Sequence, residues 1–189
     1  CSPFQFALST RAGTDAVIHA LRAASDADPT LCITSVDGVG AFDHISRRQM
    51  LLKLLRTPSL NPLLPYACLF YGRPSLYLWT DDQGVTHDIP QGDGFEQGDA
   101  LSPAFFALAL HDSLQQAQSS LRDGERLFAY LDDVFILAPP RHIYAAFRSV
   151  SEAIALGAGV LTNFGKTRCW SRAGGPPPPG FSTETPGMW

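Results

Sequence analysis

The chain has 189 residues, 45% of them hydrophobic and 17% charged, with a formal net charge of −4. That length and balance fit a soluble globular chain with a real core, and no apolar run approaches the ~20 residues of a membrane span. The negative balance counts against a free-standing nucleic-acid binder, although carboxylates gathered to hold cations would themselves lower the charge.

Cys1, Cys32, Cys68 and Cys169 lie far apart with no CxxC pair. They fit reduced cysteines of an intracellular protein, with no zinc site or disulfide frame. The chain starts on Cys1 with no visible secretory signal, as a fragment or processed product would.

Residues 1–12 carry little signal apart from Arg11. Thr14 is placed as a helix cap, with Asp15 in the first turn and Val17, Ala20, Leu21 and Ala24 at helical spacing, giving a helix over 14–25. Leu31 to Val36 is a buried-strand pattern that ends on Asp37, and a carboxylate at a strand end is well aimed for a site. A turn or capping aspartate is the plainer reading of Asp37 alone. A helix over 44–56 follows, with Ile45, Leu52 and Leu55 on one face and Arg47, Arg48 and Lys53 on another.

Residues 75–80 and 85–89 flank Asp81-Asp82-Gln83-Gly84, a hairpin signal with a solvated polar turn. Ser102-Pro103 predicts a helix start, serine capping and proline in the first position, for a helix over 103–121. In the loop before it, Gly98 lets the backbone of Gln97-Gly98 approach a ligand closely.

The run from Leu127 to Ala138 is apolar and interrupted once, by Asp132-Asp133. It predicts two strands with the aspartates as the central turn residues, in a place where tight hairpins favour glycine. A turn that displays two like charges is a functional candidate, since a cation nearby offsets their repulsion; a solvated turn is the plainer alternative, aspartate being common in turns. Ile143, Phe147, Val150 and Ile154 mark a helix ending at Gly157, Arg168 to Trp170 a last strand, and 171–189 a disordered Pro/Gly-rich tail. The predicted order gives an α+β domain, an antiparallel sheet with helices on one face.

Asp37 and Asp132-Asp133 meet if their strands are neighbours. Carboxylates suit Mg2+, and two such ions can activate a hydroxyl and stabilise a pyrophosphate leaving group.

Four stretches in order resemble the palm motifs of reverse transcriptases of the non-LTR retroelement and group II intron type. They are Val36 to Ile45, Gly94 to Pro103, Phe128 to Val134, and Gly159 to Thr167 with Asn163 and Lys166. Ser9 to Asp15 is similar to a fingers motif. The resemblance implies a right-hand polymerase palm over 1–170, with partial fingers at 1–30 and 57–95 and no thumb. It implies an RNA-directed DNA polymerase that adds deoxynucleotides to a primer 3′ end.

Asp37, Asp132 and Asp133 would then be catalytic and hold two Mg2+ ions, or Mn2+. Lys166 would neutralise or protonate pyrophosphate. Phe42 would lie under the incoming sugar and exclude a 2′-hydroxyl, although a core phenylalanine is its plainer role. Gln97 and Gly98 would line the nucleotide pocket, Tyr130 would pack near the primer end, and Arg11 would touch template or triphosphate. The implied partners are an RNA template, a DNA primer, deoxynucleoside triphosphates and the rest of a larger polyprotein, with no membrane. The implied location is intracellular, and nuclear for a eukaryotic retroelement.

Glu96 departs from that pattern with a negative charge beside the triphosphate site, Ala100 replaces the usual proline, and Gln91 in the added segment 88–93 rivals Gln97. The alternatives are an inactive remnant or domesticated palm acting as a nucleic-acid-binding or scaffold module, and an RNA-directed RNA polymerase, against which Phe42 and Tyr130 count.

Overall fold

A computed structural model describes residues 3–8, 10–181 and 187–189. Cys1 and Ser9 lie outside the described residues, and so does part of the expected tail, 182–186. Helix α1 (Gly13–Ala27) leads into β1 (Cys32–Val36), a one-turn helix α2 (Ala41–His44) and α3 (Arg47–Arg56). A 3-10 segment (Pro58–Leu63) and α4 (Leu64–Tyr71) precede the hairpin β2 (Ser75–Thr80) and β3 (Thr86–Gln91). Then come α5 (Ser102–Ser120), the hairpin β4 (Arg126–Tyr130) and β5 (Asp133–Ala138), α6 (Ile143–Ala158) and β6 (Arg168–Ser171).

The main sheet is antiparallel with strand order β4-β5-β1-β6, and β2-β3 forms a separate ribbon. β4 and β5 are a hairpin, whereas β1 reaches its neighbours β5 and β6 from a distant part of the chain, and the apolar alternation of each strand decides which face meets the helices. Cys32, Val36, Leu127, Ala129, Val134 and Ile136 belong to one buried cluster with residues of α5 and α6. These two helices pack closely: a Cβ on Gly157 would strike Ser113 Oγ. α6 ends at Ala158, one residue beyond Gly157, and is capped by Gly159 in the left-handed region (φ 80), which glycine enters at least cost.

The opposite face is not bare, which corrects the one-sided expectation. Ile33 and Leu137 are paired in register and fully buried outside that cluster. α1 lies against β4 on this side, where a Cβ on Gly13 would come 3.6 Å from the Tyr130 ring. The N-terminal segment runs along the edge of β4: Ala129 N–H donates to the Phe4 carbonyl and Phe6 N–H to the Ala129 carbonyl, each at 2.9 Å.

Other expectations change. Thr14 does not cap α1, which begins after Ala12 in the left-handed region (φ 52) with no side-chain cap. Ser102 does not cap α5; its hydroxyl turns back to donate to the Glu96 carbonyl at 2.7 Å. In α3 the buried positions are Arg47, Met50 and Leu54, while Leu55 is 61% exposed.

Arg47 can be buried because every arm is satisfied. Nε donates to the Gly94 carbonyl (2.6 Å), and the terminal nitrogens donate to the Arg73 carbonyl (3.0 Å) and Ser75 Oγ (2.9 Å). Its guanidinium also sits 5.2 Å from the Tyr71 ring centre.

The chain does not leave the core at Ser171. Phe181 is fully buried, with its ring 5.6 Å from Phe147 and 5.3 Å from Tyr144. Cys169 N–H donates to the Met188 carbonyl, and Met188 is buried. A proline run cannot make ladder bonds, but it can carry one aromatic residue back onto a helix. Among the described residues no helix is long and apolar enough to cross a membrane.

Candidate active site

Strand register brings the first and third motifs together. β1 and β5 pair through Val36↔Val134, so Asp37 leaves β1 at the end of the sheet where Asp133 opens β5. Asp37 and Asp132 line one cavity with Val134, Phe106 and Val160. The carboxyl groups sense one another: burial pushes the Asp133 carboxyl up, and Asp132 and then Asp37 push it further.

The turn differs from expectation by one residue. Tyr130 pairs with Asp133, so the two turn residues are Leu131 and Asp132, with Leu131 left-handed at φ 53. Tyr130, half-buried, sits on the α1 side of the sheet.

The fourth motif is fastened to the first through backbone. Asn163 N–H donates to the Asp37 carbonyl (2.8 Å), and Val39 N–H to the Leu161 carbonyl (2.8 Å). This places the exposed Lys166 with Nζ 3.7 Å from Asp37 Oδ2. That oxygen is itself shielded from solvent and has no hydrogen-bond partner among the described residues.

Phe42 is half-buried and stacks on Phe106 of α5 with ring centres 4.3 Å apart, and Phe106 lines the cavity shared by Asp37 and Asp132. Its ring is thus both a core contact and a neighbour of the site. The loop of the second motif hangs from α2, because Phe95 N–H donates to the Phe42 carbonyl at 2.8 Å. Gln97 is exposed, and Gly98 (φ 101) has open space where a side chain would be. The rival Gln91 instead sits at the end of β3, with Nε2 3.5 Å from the Asp43 carbonyl. Arg11 is exposed at the start of α1, and no contact among the described residues ties it to the carboxylates.

Three tyrosines that sequence patterns do not single out fix the Gln97 loop. Tyr77 of β2 donates its hydroxyl to Glu96, which raises the phenol to about 12 and turns the Glu96 charge toward the ribbon. Tyr71 donates to Asp99, with Tyr66 also in reach at 3.3 Å. Burial raises the Asp99 carboxyl, but the Tyr71, Leu101 N–H and Tyr66 hydrogen bonds outweigh it and leave the net shift downward. A tyrosine in a mixed helix and an aspartate in a glycine-rich loop carry no sequence pattern that pairs them.

The donor set at the sheet end suits a hard cation: carboxylates crowded together, and one buried oxygen without a hydrogen. Among the described residues, no three His, Cys, Asp or Glu side chains stand close enough to form a finished ligand cluster.

A family model described as reverse transcriptase (RNA-dependent DNA polymerase) matches residues 1–175. The chain belongs to the reverse transcriptase family. This family works with divalent metal ions. The reverse transcriptase chain is 27% identical over 135 residues to the retrotransposable element SLACS 132 kDa protein of Trypanosoma brucei gambiense, covering 71% of this chain and 11% of that protein. Its fold is similar to apo telomerase from Candida tropicalis (TM-score 0.64, 12% identity, 88% of this chain and 32% of that one). It is also similar to telomerase from Candida albicans in complex with the TWJ fragment of telomeric RNA (TM-score 0.62, 17% identity, 88% and 32%). The chain therefore spans about a tenth of the curated relative and a third of these structures.

Proposed function

We propose that this chain is the palm of an RNA-directed DNA polymerase that adds deoxynucleotides to a primer 3′ end on an RNA template, within a larger protein that also supplies fingers and thumb. One observation carries the reading: the Val36↔Val134 register brings Asp37 and the Asp132-Asp133 turn to one end of one sheet.

Asp37, Asp132 and Asp133 would hold two divalent ions, Mg2+ or Mn2+. When bound, such ions favour the attacking hydroxylate and offset charge on the leaving pyrophosphate. The rest falls to the chain itself. Lys166, with Nζ 3.7 Å from Asp37 Oδ2, would balance pyrophosphate charge or give it a proton. Phe42, stacked on Phe106, would lie under the incoming sugar and exclude a ribose 2′-hydroxyl. Gln97 and Gly98, both exposed and with open space where Gly98 lacks a side chain, would line the nucleotide pocket, Tyr130 would pack near the primer end, and Arg11 would reach template or triphosphate.

The test is primer extension on an RNA template, with the chain joined to fingers and thumb. The wild type is expected to extend with Mg2+ or Mn2+, and Asp132→Asn to lose about a thousandfold or more in rate. Phe42→Ala is expected to admit ribonucleotides at least about tenfold better relative to deoxynucleotides. A wild type that extends nothing with either ion hands the case to the inactive, nucleic-acid-binding or scaffold reading.

A further inference from the structure

We propose that Gln5 is a positioning residue for the turn that carries Asp132, holding it in the shape that sets the two aspartates against Asp37; this rests on the polymerase reading above. Gln5 is 126 positions from the turn and only 2% exposed. Its Oε1 accepts from Leu131 N–H at 2.7 Å, and its Nε2 donates to the Leu131 carbonyl at 3.3 Å. Oε1 also accepts from Ala7 N–H at 3.2 Å. One carboxamide thus satisfies both backbone groups of a single residue.

Within the turn, that residue is the strained one. Leu131 is at φ 53, a region that crowds any residue carrying a Cβ and persists only where the surroundings over-determine it. The β4–β5 ladder stops at Tyr130↔Asp133, so it supplies Leu131 with no partner. The turn has a second reason to relax, because Asp132 and Asp133 repel each other. Against both stands a side chain delivered rigidly, since Phe4 and Phe6 on either side of Gln5 are bonded through backbone to Ala129 of β4. Only an amide both donates to and accepts from Leu131 in this way. Glutamate lacks the donor, and an apolar residue leaves the Leu131 groups without partners.

The test uses Gln5→Met, which keeps length and removes the amide, with Gln115→Met on the exposed side of α5 as control. The first readout is amide exchange in the chain itself. Gln5→Met is expected to speed exchange over residues 130–133 by about tenfold and leave α6 unchanged; the control changes neither. The second is primer extension by the joined enzyme, where kcat is expected to fall about tenfold with the deoxynucleotide KM within about twofold and a higher Mn2+ requirement.

Unchanged exchange at the tip overturns the proposal, and so does a raised KM with unchanged kcat. A wild type that extends nothing defeats the polymerase reading, while the exchange result still decides the hold on Leu131. Should Gln5→Met fail to fold, Gln5→Glu, which keeps the acceptor for Leu131 N–H, takes its place with the same readouts.

Discussion

The chain contains two antiparallel hairpins that each carry adjacent aspartates, and they use them in opposite ways. In the β2–β3 ribbon, Asp81 serves its own turn: it accepts from Gln83 N–H (3.0 Å) and Val85 N–H (2.9 Å), and it pairs with His87 (2.9 Å). The His87 contact, then the backbone bonds, pull its carboxyl below the usual range. Gly84 at φ 82 absorbs the backbone bend. In the β4–β5 hairpin the bend falls on Leu131, a side chain from outside the hairpin holds it, and Asp133 is pushed up with no hydrogen bond among the described residues to offset its desolvation. The first pair stabilises a turn. The second is held in place against its own repulsion, which is the pattern of a binding or catalytic site.

The largest effect expected from this contrast is on activity. Asp132→Asn should remove primer extension while Asp81→Asn leaves it within about twofold; equal losses would erase the distinction between the turns. A smaller effect concerns stability. Asp133→Asn should raise the melting temperature of the metal-free chain at neutral pH, because it removes a partly desolvated charge beside Asp132 and Asp37, and Asp81→Asn should lower it. A lower melting temperature for Asp133→Asn would show the carboxylate to be structural.

The smallest effect is the response to acid. The Asp81 carboxyl is depressed in the folded ribbon, so its contribution is present above the ordinary aspartate value of 3.8 and is lost as pH falls through the lower folded value. Amide protection over 75–91 should therefore drop below pH 3.8 in the wild type, and the added loss should vanish in Asp81→Asn. This ribbon is the more dispensable of the two hairpins for folding, with Leu76 59%, Leu78 68% and Trp79 55% exposed.

The same contrast explains what the sequence can reveal. Asp37 and Asp132-Asp133 stand out because apolar strand patterns frame them, and the antiparallel α+β arrangement follows from those patterns. Gln5 does not stand out: one glutamine in an N-terminal segment gives no hint of a carbonyl 126 positions away. An amphipathic pattern assigns every arginine to solvent, and only the Gly94, Arg73 and Ser75 partners allow Arg47 to be buried. Phe181 is hidden among glycines and prolines, whose composition argues against a core but not against one buried ring. The β4–β5 turn lies one residue earlier than its aspartates suggest, because aspartate is a stronger turn signal than leucine and strand pairing overrides that preference.

The most direct measurement is the position of Mn2+ by anomalous diffraction from crystals soaked in it. The expected result is a peak within bonding distance of carboxylate oxygens from both Asp37 and Asp132, which Asp37→Asn and Asp132→Asn each abolish. A peak that touches one of them alone, or one that appears at Asp81 instead, would contradict a shared metal site at the end of the sheet.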